Sequence, residues 1–189
     1  TFTLVESNDL SVSGGAGNDT FTMTSINTAD TVNGGDGTDT IIAGNTAIVA
    51  LDGANRSTFN NIEGITITDH FDGDLNVYQI SRSINTVNLT ETDAAITDEA
   101  ENITGNAGTL TVNIGAKAST NNAGVIGAAL TVTDTGSATT DTVNIVNKAQ
   151  TSTGVNIDVF AGNSLTSTGY ENVNINTGSG TGNDQVDIS

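Results

Sequence analysis

The chain has no cysteine, no proline and no tryptophan, a single histidine, and only four basic residues among 189. Each shortage excludes something. Without cysteine there is neither a disulfide nor a thiolate metal site, so a thin core needs another staple. One histidine, His70, cannot build a zinc site of several His and Cys ligands. Neither His-Glu-x-x-His nor Gly-x-Ser-x-Gly occurs, so zinc-protease and nucleophile-elbow chemistry have no support. Two Tyr and five Phe are poor material for a sugar-stacking cleft. Arg56, Arg82, Lys117 and Lys148 are scattered through a chain of net charge −18, which argues against nucleic acid as a partner, because phosphate binding needs a basic patch. No apolar run approaches the roughly 20 residues of a spanning helix. The first five residues lack the basic flank and apolar core of a signal peptide. No catalytic constellation stands out, and we expect no enzyme. Sixteen Asp make chance carboxylate pairs inevitable, so none is nominated for glycoside chemistry. The lack of proline suits a continuous parallel sheet that needs its amide donors.

What is present is glycine and aspartate in register. Two nine-residue segments, 14–22 (GGAGNDTFT) and 34–42 (GGDGTDTII), both read Gly-Gly-x-Gly-x-Asp-x-U-x, with U a large apolar residue. Gly14, Gly15, Ala16 and Gly17 in the first, and Gly34, Gly35, Asp36 and Gly37 in the second, form a tight turn whose glycines permit φ > 0 and close approach of carbonyl oxygens to an ion. Asp19 and Asp39 add carboxylates of the kind that Ca²⁺, with its six to eight oxygen ligands, requires. Phe21 and Ile41 then point inward from a short strand, since strand side chains alternate. Asp19 and Asp39 lie 20 residues apart, close to one coil. A degenerate copy at 25–33 keeps Asp30 but no glycine. The two glycine corners are therefore expected to stack on one edge around a calcium, with the Asp30 turn on the opposite edge binding weakly or not at all.

These segments resemble the RTX family, whose nonapeptides bind calcium in a parallel β-roll. The resemblance implies export by type I secretion from Gram-negative bacteria, and folding once calcium is met outside the cell. It covers about residues 10–44. A near-copy at 179–187, with Gly180, Gly182 and Asp184, lacks only the first glycine, and a weaker one at 136–144 keeps Asp141 but has lost two glycines. The expected division is a calcium-binding β-roll over 1–44 and a β-rich, solenoid-like part over 45–189. The chain reads as a piece of a larger protein or a mature product.

Beyond residue 44 the dominant period is two. Alternating runs at 65–67, 75–77, 87–89, 110–114, 130–132, 143–145, 155–159, 173–175 and 186–188 read as short strands with one apolar face and Thr or Asn on the other. Helix is expected at most as a turn or two over 78–83 and 116–129. A second internal repeat, a Glu-containing lead into a strand, appears at 61–68 (Glu63) and 169–176 (Glu171); it resembles segments of RTX-bearing surface-layer proteins and large adhesins. Together these features predict an all-β fold, a right-handed parallel β-roll or β-solenoid with calcium-binding turns, in preference to a sandwich.

Asp69, Asp72 and Asp74, set around Gly73, are a further candidate calcium loop, although the order and distant Glu of an EF-hand are missing; a solvated turn is the competing reading. Asp93, Asp98, Glu99 and Glu101 form another acidic cluster, read as a solvated face in preference to a metal site. The Thr-rich strand faces admit an ice-binding surface, but the coils differ too much to repeat one Thr array. The expected function is that of an extracellular, calcium-stabilised structural protein of a bacterial surface layer or matrix that self-assembles as a homo-oligomer or polymer. The alternatives are a calcium-dependent adhesin segment gripping a cell-surface glycan, or an RTX accessory module of a secreted enzyme.

Overall fold

The computed structural model describes residues 1–5, 9–26, 29–51, 58–91, 101–105, 108–115, 129–148 and 164–176. Alternation of Ile, Val or Phe with Thr or Asn gives a strand with one apolar and one polar face, and the chain lays such strands down in two series. One series is β1 (Phe2–Leu4), β3 (Thr20–Met23), β5 (Thr40–Ala43), β7 (Gly64–His70), β9 (Thr86–Glu91), β11 (Thr109–Ile114), β13 (Thr142–Asn147) and β15 (Asn172–Asn176). These eight form a single sheet in that order. The strands between them, β2 (Ser11–Ala16), β4 (Thr31–Asp36) and β6 (Phe59–Asn60), form a three-stranded sheet, and β8 (Asp74–Asn76), β10 (Glu101–Gly105), β12 (Leu130–Asp134) and β14 (Leu165–Thr168) a four-stranded one. Each strand pairs in parallel with strands two places away in the chain. The protein is thus mostly β, in parallel sheets, an arrangement compatible with the coil expected from the sequence.

Register explains the core. Phe2, Phe21, Ile41, Ile65, Val87, Val112, Ile145 and Ile175 are consecutive partners across the eight-stranded sheet. From Phe21 to Val112 each is fully buried, and Phe2 stacks on Phe21 with ring centroids 5.0 Å apart. Each such side chain contributes roughly 1.5–3 kcal/mol on burial. On the opposite face Asn and Thr bond along the stack: Asn88 donates to Thr66 Oγ1 (3.1 Å), Asn113 to Asn88 Oδ1 (2.8 Å) and Asn174 to Asn144 Oδ1 (3.0 Å). The sequence separation per turn of the stack is not constant, rising from 20 residues between Asp19 and Asp39 to 33 between Thr111 and Asn144. The apolar columns keep register while the connections absorb the difference.

The large sheet runs without a break past residue 44, because β5 pairs with β7, Ile41 against Ile65. On the other side the ladder stops between β6 and β8. Helix α1 (Asn45–Ala50), which the period-two reading did not anticipate, lies against β7 and β8 and buries Ile48. Its sequence, Asn-Thr-Ala-Ile-Val-Ala, has no alternation of apolar and polar residues to hold it as a strand. Helix α2 (Val77–Ile80) is a single turn at the start of the 78–83 segment, capped by the Asn76 side chain, which accepts the Gln79 N–H at 3.2 Å. The expected strands at 65–67, 87–89, 110–114, 130–132, 143–145 and 173–175 fall on β7, β9, β11, β12, β13 and β15, and that at 75–77 falls on β8 except for Val77, which opens α2. Those at 155–159 and 186–188, and the helix over 116–129 apart from Ala129, lie outside the described residues.

Candidate metal centre at the stacked corners

Both nonapeptides bend the chain from an even-numbered strand into the next odd one, and the two bends lie one on the other. Gly15 pairs with Gly35 and Ala16 with Asp36. The Gly17 N–H donates to the Asp36 carbonyl (2.7 Å), and the Thr38 N–H donates back to Asn18 Oδ1 (2.9 Å). Gly15, Gly17, Gly35 and Gly37 all have positive φ, from 98° to 144°. Glycine is required most firmly in the second corner. A Cβ on Gly35 would strike the Gly15 carbonyl oxygen, and one on Gly34 would strike both Asn61 O and Oδ2 of Asp39. At Gly14 the same place is taken by Gly34 O, 2.5 Å away, and by Asp19 Oδ2, 2.7 Å away. The missing side chain of each repeat's first glycine is therefore the space in which that repeat's carboxylate meets a carbonyl from the next layer.

The carboxylates also tie the layers together. Asp39 Oδ1 accepts the backbone N–H of Asp19 at 2.7 Å, and Glu63 Oε2 accepts that of Asp39 at 2.8 Å. Each acid serves an amide one layer earlier, so an N–H at a sharp bend, out of reach of the strand ladders, is satisfied by charge. Further along, Glu171 Oε2 does the same for the Asp141 N–H at 2.8 Å. This explains the Glu-containing leads noted in the sequence: Glu63 and Glu171 perform the task of the nonapeptide aspartates. Sequence reasoning missed the equivalence because it aligned glycines. Aligning on the residue just before the strand, as in Asp39-Thr40-Ile41 and Glu63-Gly64-Ile65, reveals it.

Asp39 is fully buried, and its second oxygen, Oδ2, has no hydrogen-bond partner. A buried charge left unsatisfied costs several kcal/mol, and the atoms crowding this oxygen near Gly34 include a second acceptor, Asn61 O. Two acceptors thus lie close to the position that a Gly34 side chain would occupy. The residues present fit a hard divalent ion in this respect, with Asp19, Asp39 and corner carbonyls as oxygen donors.

The remaining candidates are placed differently. Asp30 lies at the start of β4, at the opposite corner, and accepts the Leu10 N–H at 3.0 Å. Asp69 Oδ1 takes the Asn45 N–H at the start of α1, the Asp72 carbonyl accepts from Asn45 Nδ2 (3.0 Å), and Asp74 Oδ1 accepts from Asn102 Nδ2. Among the described residues no three His, Asp or Glu side chains gather as a metal site built from side chains alone would require. Gly180, Gly182 and Asp184 lie outside the described residues, as do Asp93, Asp98 and Glu99. Glu101 corrects the expectation of a solvated acidic face: it is 2% exposed, because it opens β10 with its side chain on the inward-facing register of Ile103.

A second acidic corner links β12 to β13. Asp141 is buried, and its carboxyl is held above the ordinary 3.8 by burial, by a hydrogen bond to Asp134 and its charge, and by the charge of Glu171. Tyr170 is buried beside them, and burial together with the charges of Asp134 and Asp141 pushes its hydroxyl pKa up.

No protein-family model matches the chain, and no curated protein or solved structure matches it.

Proposed function

We propose that the chain is a calcium-hardened, right-handed β-solenoid segment of an extracellular bacterial surface layer or matrix, assembling with copies of itself. The observation that carries the reading is the stranded Oδ2 of Asp39, which lies against Gly34 of its own glycine corner and near the Asn61 carbonyl of the following layer. Calcium there would bridge successive layers through Asp19, Asp39 and corner carbonyls, and would lower the self-repulsion of a chain of net charge −18. An ion that binds only the folded chain stabilises it by mass action, which suits a protein that is to stay unfolded until export. The unpaired ladder edges of β1 and β15 among the described residues, with Val173 45% exposed on β15, supply surfaces for a neighbouring copy. The second reading, a glycan-gripping adhesin segment, is favoured only by the ordered Asn and Thr ladder on the large sheet's outer face.

Calorimetric titration with CaCl₂, followed by electron microscopy with and without the ion, tests the proposal. Saturable binding with calcium-dependent filaments or sheets is expected. Order that persists in excess EGTA overturns the role of calcium in assembly, and a calcium-dependent glycan hit without assembly moves the protein to the adhesin reading.

A further inference from the structure

The corner between β12 and β13 lacks the Gly-Gly-x-Gly run, yet it gathers more oxygen than the hydrogen-bond ladders use. Asp134 closes β12 and stands beside Gly105 in register. Its Oδ1 accepts the Gly136 N–H at 2.9 Å, and its carboxyl shares a hydrogen bond with that of Asp141. Asp141 is 2% exposed. Its own N–H is satisfied by Glu171 Oε2, and its carbonyl accepts from the Asn172 N–H at 3.0 Å. The Tyr170 side chain reaches the same place. Only 9% of Tyr170 is exposed, and its hydroxyl has no hydrogen-bond partner. That hydroxyl lies 2.7 Å from where a Cβ on Gly105 would be, and the Asp134 carbonyl oxygen lies equally close to where one on Gly169 would be. Two carboxylates packed together and a buried, unpartnered phenol oxygen are a costly arrangement for a purely structural corner.

We propose that Asp134, Asp141 and the Tyr170 hydroxyl form a second divalent-cation site, with calcium as the ion. All three donors are hard oxygens, which suits Ca²⁺ and not a soft metal, and carbonyls and water would complete its shell. The cation would take the place of the proton that two adjacent carboxyl groups otherwise share. This site is separate from the glycine corners and does not depend on their binding calcium. It would close the far part of the stack as they close the near part.

Tyr170 supplies its own reporter, because a phenol close to bound Tb³⁺ sensitises the ion's emission and the chain has no tryptophan. The full chain is titrated with TbCl₃ under tyrosine excitation, then with CaCl₂ as competitor. Emission is expected in the unaltered protein, lost in Asp134→Asn and Tyr170→Phe, retained in Tyr78→Phe and Asp39→Asn, and displaced by calcium. Asn at 134 keeps the acceptor for the Gly136 N–H, and circular dichroism verifies the fold. Equilibrium dialysis with calcium gives a second readout, with Asp134→Asn and Tyr170→Phe each expected to bind one ion fewer. No emission, emission that survives Asp134→Asn, emission that depends on Tyr78, or an unchanged ion count overturns the site. Loss of calcium binding in Asp39→Asn alone would leave the glycine-corner reading standing without it.

Discussion

The corner at Gly34 to Asp39 and the corner at Asp134 to Asp141 solve one problem by different means. In both, an N–H at the bend is served by a carboxylate that stands just ahead of a strand in the following layer. The first does it with glycines, so that backbone stacks on backbone and carbonyls reach the carboxylate. The second uses a longer connection, two aspartates that share a hydrogen bond, and a buried tyrosine. The lesson is that the carboxylate-to-amide step is the general device of this fold. The nonapeptide is its most compact version, and it also leaves a carboxylate oxygen stranded.

The sharpest way to break the comparison is through equivalent glycines. Gly35→Ala meets a backbone oxygen of the layer below as well as an unfavourable φ of 105°, whereas Gly15→Ala, at φ 98°, meets nothing within 4 Å. The first is expected to lose about 3 kcal/mol or more, since strain of about 1–3 kcal/mol is joined by a collision that packed backbone cannot relieve. The second is expected to lose only about 1–2 kcal/mol from backbone conformation. Urea unfolding of the pair checks this, and equal losses would deny that the corners stack.

Next in size is Asp39→Asn. With calcium at a hundred times its Kd the corner site should add about 2.7 kcal/mol to the unaltered chain, and the variant should lack that share, as read by a smaller shift of Tm on adding CaCl₂. Glu63→Ala should cost about 1–2 kcal/mol by orphaning the Asp39 N–H, while Glu63→Gln, which keeps an acceptor, should cost under about half of that. A Glu63→Gln loss as large as that of Glu63→Ala would mean that charge, not the hydrogen bond, matters at this step.

The smallest effect concerns pH and belongs to the second corner. Because the folded-state pKa of Asp141 is raised from 3.8, its contribution to stability is fully present below 3.8 and falls as pH climbs through the raised value. Asp134, Glu171 and Tyr170 are the titratable groups facing it. In EGTA, Asp141→Asn should flatten that fall in a plot of Tm against pH, and an unchanged slope would place the loss of stability with rising pH elsewhere.

Much of this was legible from periodicity. Strands over 65–67, 110–114 or 143–145 announce themselves because a half-buried strand must alternate, and the nonapeptides announce their bends because only glycine tolerates those torsions. The stacking of Asp19 with Asp39 followed from their spacing. Helix α1 was not legible, since the six residues Asn-Thr-Ala-Ile-Val-Ala carry no helical period, and the helix rests on the burial of Ile48 and on packing against β7 and β8. The nearness of Tyr170 to Asp134 was hidden for another reason: it joins residues brought together by register between layers, and register is a property of the whole stack rather than of either segment. Glu101 misled because charge in a run of acids reads as surface, while its strand phase places it inside.

The carboxylate steps also have a direction. Each described one is given by the earlier layer and received by the later, from Asp19 to Asp39 to Glu63, and again from Asp141 to Glu171. The two ends of such a column are chemically unlike: one offers an amide and the other an acid. Copies that join through them can do so only head to tail, the heterologous contact that grows filaments rather than closing two-fold dimers.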